Sequence, residues 1–367
     1  MIEELRSLPL RQKVGQLFFI GIPGPEVDEA TRALLDEVSP GGVCLFSRNI
    51  REAAETRELL DKVRASLPVV PFLSIDQEGG LVDRLRRVMT PMPAAKKVET
   101  VVDAEELASI IAETLLTLGL NMDFAPVVDV IDDERAKFTN GLFSRQFGRS
   151  RDDVVSLAGA FVRSLQHHGC VGCLKHFPGL GAAQVDSHEE LPLVGVSKTE
   201  LHEIDLFPYR ELFARGNAKA VMIAHSAYPR LDLQEKDKSG KLLPASLSRN
   251  FITTLLRDDL DFNGVIITDD LEMGAIVKNY GIGDACKMAV NAGADMLAIC
   301  ADPAAIRDGY HAVLKSVENG EIGETRLDES LDRIARLKNE LAEPKDLDVK
   351  NLSTLSERVT ALNERLA

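Results

Sequence analysis

The sequence predicts an α/β fold: a (β/α)8 barrel of the TIM type, in a single domain that ends in an amphipathic helix. Three observations predict it. Eight apolar, strand-like runs alternate with helical patterns along the 367 residues. The runs are close to continuously apolar, as strands of a parallel sheet buried on both faces must be. Acids, bases or charge-bearing groups directly follow five of the eight runs, on the side where a parallel barrel keeps its chemistry.

Taken in order, the strand-like runs are Gly15–Ile22, Gly42–Phe46, Val70–Ile75, Asn121–Val128, Val171–His176, Ala220–Ala224, Gly264–Thr268 and Asp295–Ile299. Amphipathic patterns separate them at Pro25–Val38, Arg51–Ser66, Ala104–Leu118, Arg151–His168, Lys198–Arg215, Arg249–Asp259 and Gly283–Ala292. Ser197-x-x-Glu200 is a capping box that starts one helix, and Asp302-Pro303 reads as an N-cap followed by an N1 proline. Gly216, Gly293 and Gly320 stand where helices should stop. No linker rich in Gly, Ser or Pro interrupts the alternation, so residues 1–343 are read as the barrel. After Pro344, in residues 344–367, Leu352, Leu355, Val359, Leu362 and Leu366 form one apolar helical stripe. A helix docked on the barrel wall is the expected use of it, in a monomer. A homodimer contact is the alternative.

Composition excludes several function classes. With 43 Lys+Arg against 58 Asp+Glu the formal charge is −15, which opposes sequence-independent binding to nucleic acid or to anionic lipid. The longest apolar runs fall well short of the roughly 20 residues a membrane-spanning helix needs. The opening Met1-Ile2-Glu3-Glu4 is acidic where a secretory signal is basic, so a cytoplasmic location is expected. Cys44, Cys170, Cys173, Cys286 and Cys300 are an odd, sparse set, unlike a disulfide framework. Cys170-x-x-Cys173 has no second pair at zinc spacing and is read as core, with redox or metal chemistry as the weaker reading.

The chemistry collects after the strands. Asp76, Gln77 and Glu78 follow the third, Asp129 the fourth, Lys175 and His176 the fifth, His225 the sixth, and Asp269 and Asp270 the seventh. In the loop after the fifth strand, Asp186 and His188 lie two apart and can face one side of an extended segment. A carboxylate beside an imidazole fixes its tautomer and favours the charged form, which suits His188 to be a general acid. The plain alternative is a polar loop with local turn bonds. Of Asp269 and Asp270, strand alternation points one toward the barrel axis. The axial one suits a carboxylate nucleophile, and Asp270 could instead cap the next helix.

Other chemistries lack their motifs. No G-x-x-x-x-G-K-[ST] or G-x-G-x-x-G turn follows a strand, so no nucleotide cofactor is expected. There is no G-x-S-x-G elbow and no H-E-x-x-H. A metal site from His176, His188, His225 and Asp269, or a Schiff base on Lys175, are minor alternatives. Neither cofactor nor metal is expected.

Lys175-His176-Phe177-Pro178-Gly179-x-Gly181, four residues, then Asp186-Ser187-His188 resembles the signature of glycoside hydrolase family 3, in its β-N-acetylglucosaminidase branch. The resemblance extends over most of the chain. It takes in Asp76 to Arg84, Asp123 to Val130, Arg145 to Gly148, Met222 to His225, Pro244 to Ser248 and Gly264 to Met273. It implies a retaining exo-glycosidase on a barrel, acting on a carbohydrate substrate. It implies Asp269 as nucleophile, His188 as acid/base with Asp186 as its orienting partner, and Asp76, Arg84, Arg145, Lys175 and His176 as sugar-binding residues. Larger relatives take a glutamate acid from a second domain, which a chain of this length is not expected to hold. Leu81 and Leu180 stand where the family usually has Arg and His, each replacing a polar group near the mouth with an apolar one. A β-glucosidase, or a sugar-binding barrel without turnover, are the competing readings.

Overall fold

The computed structural model of the chain describes residues 1–138, 141–184 and 190–367. Each of the eight apolar runs supplies one strand of a closed barrel. The strands are β1 (Phe18–Gly21), β2 (Gly42–Leu45) and β3 (Phe72–Ile75). A short antiparallel hairpin of β4 (Gln77–Gly79) and β5 (Val82–Asp83) follows and stays outside the barrel. Then come β6 (Met122–Asp123), β7 (Val171–Phe177), β8 (Ala220–Ile223), β9 (Val265–Asp270) and β10 (Met296–Ile299). Around the barrel the order is β1-β2-β3-β6-β7-β8-β9-β10, and β10 pairs with β1 to close it. All of these pairings are parallel, which accounts for strands buried on both faces and therefore apolar throughout.

Two strands depart from the regular pleat. In β7 the pairing passes from Leu174↔Val221 to Phe177↔Ile223, so β7 spends one residue more than its partner. In β9 it passes from Met296↔Ile267 to Ala298↔Asp270, again with the extra residue on the strand that carries chemistry. Such bulges re-aim side chains and interrupt strict alternation. The fourth run is shorter than the sequence suggests. It pairs as a strand over Met122–Asp123 and returns only as a bridge between Val127 and Lys175, because Pro126 has no N–H for the ladder.

The helices begin where short polar side chains can cap them. Asp28 accepts from Thr31 N (2.8 Å), so the first long helix is Glu29–Val38 and starts after the expected Pro25. The Ser197 capping box and the Asp302 cap with Pro303 form as their sequence signatures imply. The expected helix Lys198–Arg215 is three pieces: Lys198–Glu200, a wider π turn at Leu201–Asp205, and Phe207–Ala214. Pro208 in the first turn of the last piece cannot donate, and the π turn is where the ladder adjusts. The C-terminal helix Val349–Arg365 buries Leu352, Leu355, Val359 and Leu362. It lies along the helix Val101–Leu118, to which Arg358 pairs through Glu113 and Arg365 through Asp103. The apolar stripe is thus covered within the chain.

The end of the barrel away from the mouth is closed by buried charge. Asp295, fully buried just before β10, accepts from Arg257, from Arg326 (3.3 Å), from Arg333 (3.1 Å), from Ser330 Oγ (3.0 Å) and from Ile266 N (3.0 Å). Burial would raise its carboxyl, but Arg257, Arg326 and Arg333 together hold it below the usual carboxylate range. Nearby in the chain order of the same end, Lys338 Nζ donates to Gln16 Oε1 (2.8 Å) and lies 5.4 Å from the Phe72 ring centre. Burial pushes this amine down to about 7.

Two outcomes follow. Asp295→Ala leaves three guanidinium groups around an empty position and should cost about 3–5 kcal/mol of stability, measured by urea unfolding. Lys338 binds fewer protons folded than unfolded between about pH 7 and about pH 10, so its contribution to stability rises with pH over that window. Lys338→Met should therefore stabilise the protein most near pH 7 and progressively less toward pH 10, read from urea midpoints across the range.

Candidate active site

The mouth at the C-terminal ends of the strands holds a cavity of about 190 Å³. Asp76, Arg84, Arg145, Lys175, His176 and Asp269, six residues picked from the sequence, all line it. They come from four different βα units, and the barrel is what brings them together. The other two, Asp186 and His188, lie outside the described residues.

The β4–β5 hairpin carries the first group. Gly79 and Gly80 turn it with φ of 84° and 59°, a region costly for residues with a Cβ. At Gly79 a Cβ would also stand 2.1 Å from the Pro93 carbonyl oxygen. Gln77 then locks the following loop. Its Oε1 accepts from Arg84 N (3.0 Å) and Leu85 N (3.2 Å), while its Nε2 donates to Asp83 Oδ1 (2.8 Å). Arg84 is thereby held by its backbone, and its side chain borders the cavity with its guanidinium 5.9 Å from the Phe46 ring centre. Leu81 sits at the hairpin tip, 63% exposed and not among the lining residues; Leu180 does line the cavity.

Glu78 is the hub. Arg145 binds it through two parallel bonds, Nε to Oε2 (2.8 Å) and Nη2 to Oε1 (2.9 Å). Lys175 Nζ lies 2.6 Å from Glu78 Oε1 and 2.6 Å from Asp76 Oδ1. Burial opposes ionisation of Glu78, yet Arg145 and then Lys175 hold its carboxyl well below the usual carboxylate range. Burial would lower Lys175, but Asp76 and Glu78 outweigh it and raise the amine above its ordinary value. A Schiff base needs a neutral amine, so this environment disfavours that role for Lys175.

His176 is held from below. Its Nδ1 lies 2.8 Å from Asp129 Oδ2, and its Nε2 lies 3.5 Å from Arg145 Nη2. A carboxylate can only accept, so Nδ1 carries the proton shared with Asp129. Asp129 Oδ1 also accepts from Leu180 N (2.6 Å), which ties the root of the loop after β7 to the same carboxylate. That loop is pinned further by Tyr228 Oη donating to Gly179 O (2.9 Å). Beneath it lies the buried pair Arg135–Asp205, bound at 2.7 and 3.0 Å. The π turn supplies Asp205.

Asp269 and Asp270 do not divide into one inward and one outward side chain, as alternation suggests. Both border the cavity, and the β9 bulge is the reason. Asp270 N donates to Asp269 Oδ1 (2.8 Å), while Asp270 Oδ1 accepts from Glu272 N (3.0 Å). The following helix, Gly274–Val277, has Met273 at its cap, so Asp270 closes a turn ahead of the helix. His225 lies beneath, its Nε2 donating to Asp270 O (2.9 Å) and its Nδ1 2.7 Å from Ser246 Oγ. Burial raises the Asp270 carboxyl to about 7, with Glu272 and Asp269 adding to the effect.

The arrangement offers a carboxylate, Asp269, facing a set of paired charges able to donate to and accept from a polar ligand. Sequence reading gave Glu78 and Asp129 no role of their own, although each follows a strand, and gave His225 only a place in the minor metal alternative. Charge counting could have found Glu78, since the cations Arg145 and Lys175 at one mouth need a buried carboxylate between them. No group of His, Cys, Asp or Glu suited to a metal ion occurs among the described residues, and no described helix is long and apolar enough to cross a membrane.

Residues 9–337 match the glycosyl hydrolase family 3 N terminal domain. A β-hexosaminidase from Pseudomonas aeruginosa is 37% identical over 292 residues, covering 78% of this chain and 82% of that protein. One from Tolumonas auensis is 33% identical over 305 residues, covering 82% and 86%. Among solved structures, a glycoside hydrolase family 3 β-N-acetylglucosaminidase from Paenibacillus sp. superposes with a TM-score of 0.86 at 36% identity, over 97% of this chain and 69% of that one. A β-N-acetylhexosaminidase from Beutenbergia cavernae gives 0.82 at 26% identity, over 91% and 99%.

The folded Asp270 keeps its proton to about pH 7, against about 3.9 when unfolded. Its contribution to stability is therefore full below about pH 4 and is lost as pH rises to about 7. Asp270→Asn should match the parent at pH 4 and exceed it increasingly toward pH 7, measured as thermal unfolding midpoints across that range.

Proposed function

The chain belongs to glycosyl hydrolase family 3, and on that premise we propose that it is a retaining exo-β-N-acetylhexosaminidase that releases terminal N-acetylglucosamine. The observation that carries the reading is the convergence of Asp269 with Asp76, Arg84, Arg145, Lys175 and His176 on one cavity at the barrel mouth. In the reaction, Asp269 attacks the anomeric carbon while protonated His188, oriented by Asp186, gives its proton to the departing oxygen. A glycosyl–Asp269 ester forms, and water then attacks it with His188 as base, so the configuration is retained. A histidine acid has a reference pKa of about 6.5, nearer neutrality than an unperturbed carboxylic acid.

Asp76, Lys175 and His176 present acceptors and donors from one wall for the sugar hydroxyls, and Arg145 and Arg84 extend that wall. The charges of Asp76, Lys175, His176 and Arg145 are already paired within the protein, so a neutral sugar exchanges water for fixed partners without stranding those ions. The names of the relatives favour N-acetylglucosamine over glucose, and oligosaccharides or cell-wall muropeptides are the proposed donors.

Hydrolysis of nitrophenyl N-acetylglucosaminide, beside the corresponding glucoside, followed by proton NMR reads activity, preference and anomeric outcome together. Asp269→Ala should abolish turnover, and His188→Ala should impair substrates with poor leaving groups most. An Asp269→Ala protein with the parent rate would end the assignment. Equal rates on the glucoside would end the N-acetyl preference alone.

A further inference from the structure

We propose that Cys44 and Cys300 form a two-thiol site in the wall of the mouth cavity, where one thiophilic atom such as a trivalent arsenical binds both sulfurs and shuts the cavity to sugar. Both residues are free thiols and both line the cavity with Asp76 and Asp269. Cys44 stands in β2 opposite Gly21 of β1, and Cys300 directly follows β10, whose Ile299 pairs with Ile20 of β1. One strand therefore separates them, and at the level of the cavity that strand presents a glycine. A Cβ on Gly21 would lie 1.9 Å from the Cys300 carbonyl oxygen, so this neighbour contributes no side chain between them. The two residues therefore flank this glycine on either side, both bordering the same cavity.

The surroundings decide which chemistry suits the pair. Cys44 and burial both raise the Cys300 thiol well above its ordinary value. Thiolate is scarce at Cys300, so alkylating agents and peroxides, which need it, react slowly there. A reagent that makes two bonds is favoured differently. Once one sulfur is joined, the second sits at high effective concentration, and the two-point product outlasts either single bond.

For phenylarsine oxide the step is balanced without any oxidant. Two As–S bonds form, the arsenic–oxygen bond breaks, and the oxygen leaves as water with the two thiol protons, arsenic remaining trivalent. The product would stand beside Asp76 and Asp269, inside the space proposed for the sugar. That last consequence rests on the glycosidase reading; formation of the adduct does not.

Intact-mass spectrometry of the full chain treated with phenylarsine oxide reads the site independently of activity. One arsenical per chain, less one water, is expected. Cys44→Ala and Cys300→Ala should each raise the concentration needed by roughly 10²-fold or more, and Cys44→Ser and Cys300→Ser carry the same expectation if an alanine variant is unstable. The pair Cys170→Ala/Cys173→Ala should leave the adduct unchanged. An adduct that survives loss of Cys44 or Cys300, depends on Cys170 and Cys173, or fails to form overturns the proposal. Hydrolysis by the treated parent should be lost and return with 2,3-dimercaptopropanol. A parent that is active untreated and stays active with its adduct in place refutes the closure of the cavity. A parent inactive before treatment instead counts against the glycosidase reading.

Discussion

The Glu78 carboxylate is the constraint on which the mouth of the barrel depends. It is buried, and two cations converge on it from different segments, Arg145 from the loop after β6 and Lys175 from β7. Without it, two like charges would face each other in a desolvated space. Removing one partner of a buried pair typically costs about 3–5 kcal/mol, whereas an exposed pair such as Lys62–Glu58 contributes about 0–1 kcal/mol. The fixed point then propagates. Lys175, held by Glu78, reaches Asp76, and Arg145, held by Glu78, approaches His176. His176 shares Asp129 with the loop that leads toward Asp186 and His188.

Much of this was legible in the sequence, for identifiable reasons. The eight strands were visible because parallel strands inside a ring of helices have no polar face, and the helix starts because Asp28, Ser197 and Asp302 act within a few residues of themselves. Asp76, Lys175, His176 and Asp269 stood out by position, each following an apolar run; Arg84 and Arg145 came only with the family motifs. What stayed hidden depends on partners distant in the chain. The Arg135–Asp205 pair spans 70 residues, and it needs a π turn that no local pattern announces. The bulges in β7 and β9 are properties of two strands compared, so neither strand alone carries the signal. Alternation thus led to one inward aspartate where two border the cavity.

The two ends of the barrel use charge differently. At the mouth, charges lie in a chain of pairs around an open space: Asp76, Arg145, Lys175 and His176 border the cavity, and Glu78 and Asp129 pair them from behind. At the opposite end, three arginines and a serine converge on Asp295, and a lysine is buried with one amide oxygen as its partner. That end is filled by these side chains. This division is the usual one for parallel barrels, and here it separates groups whose titration changes stability alone from groups whose titration also touches the cavity.

The β7 bulge has a meaning for how the strand can vary. Lys175 and His176 are consecutive, yet both line the cavity; a regular strand would turn one of them into the wall. The strand is therefore written in two phases, one up to Leu174 and another from Phe177, with a slip of one residue between them. Deleting a single residue at the slip would restore an ordinary pleat and keep the composition almost unchanged. It would leave Leu174 and Phe177 on the face they share now, opposite Val221 and Ile223, but only one of Lys175 and His176 would remain, so either Glu78 would lose a partner or Asp129 its imidazole. The spare residue is what lets one strand aim two adjacent groups at the same space.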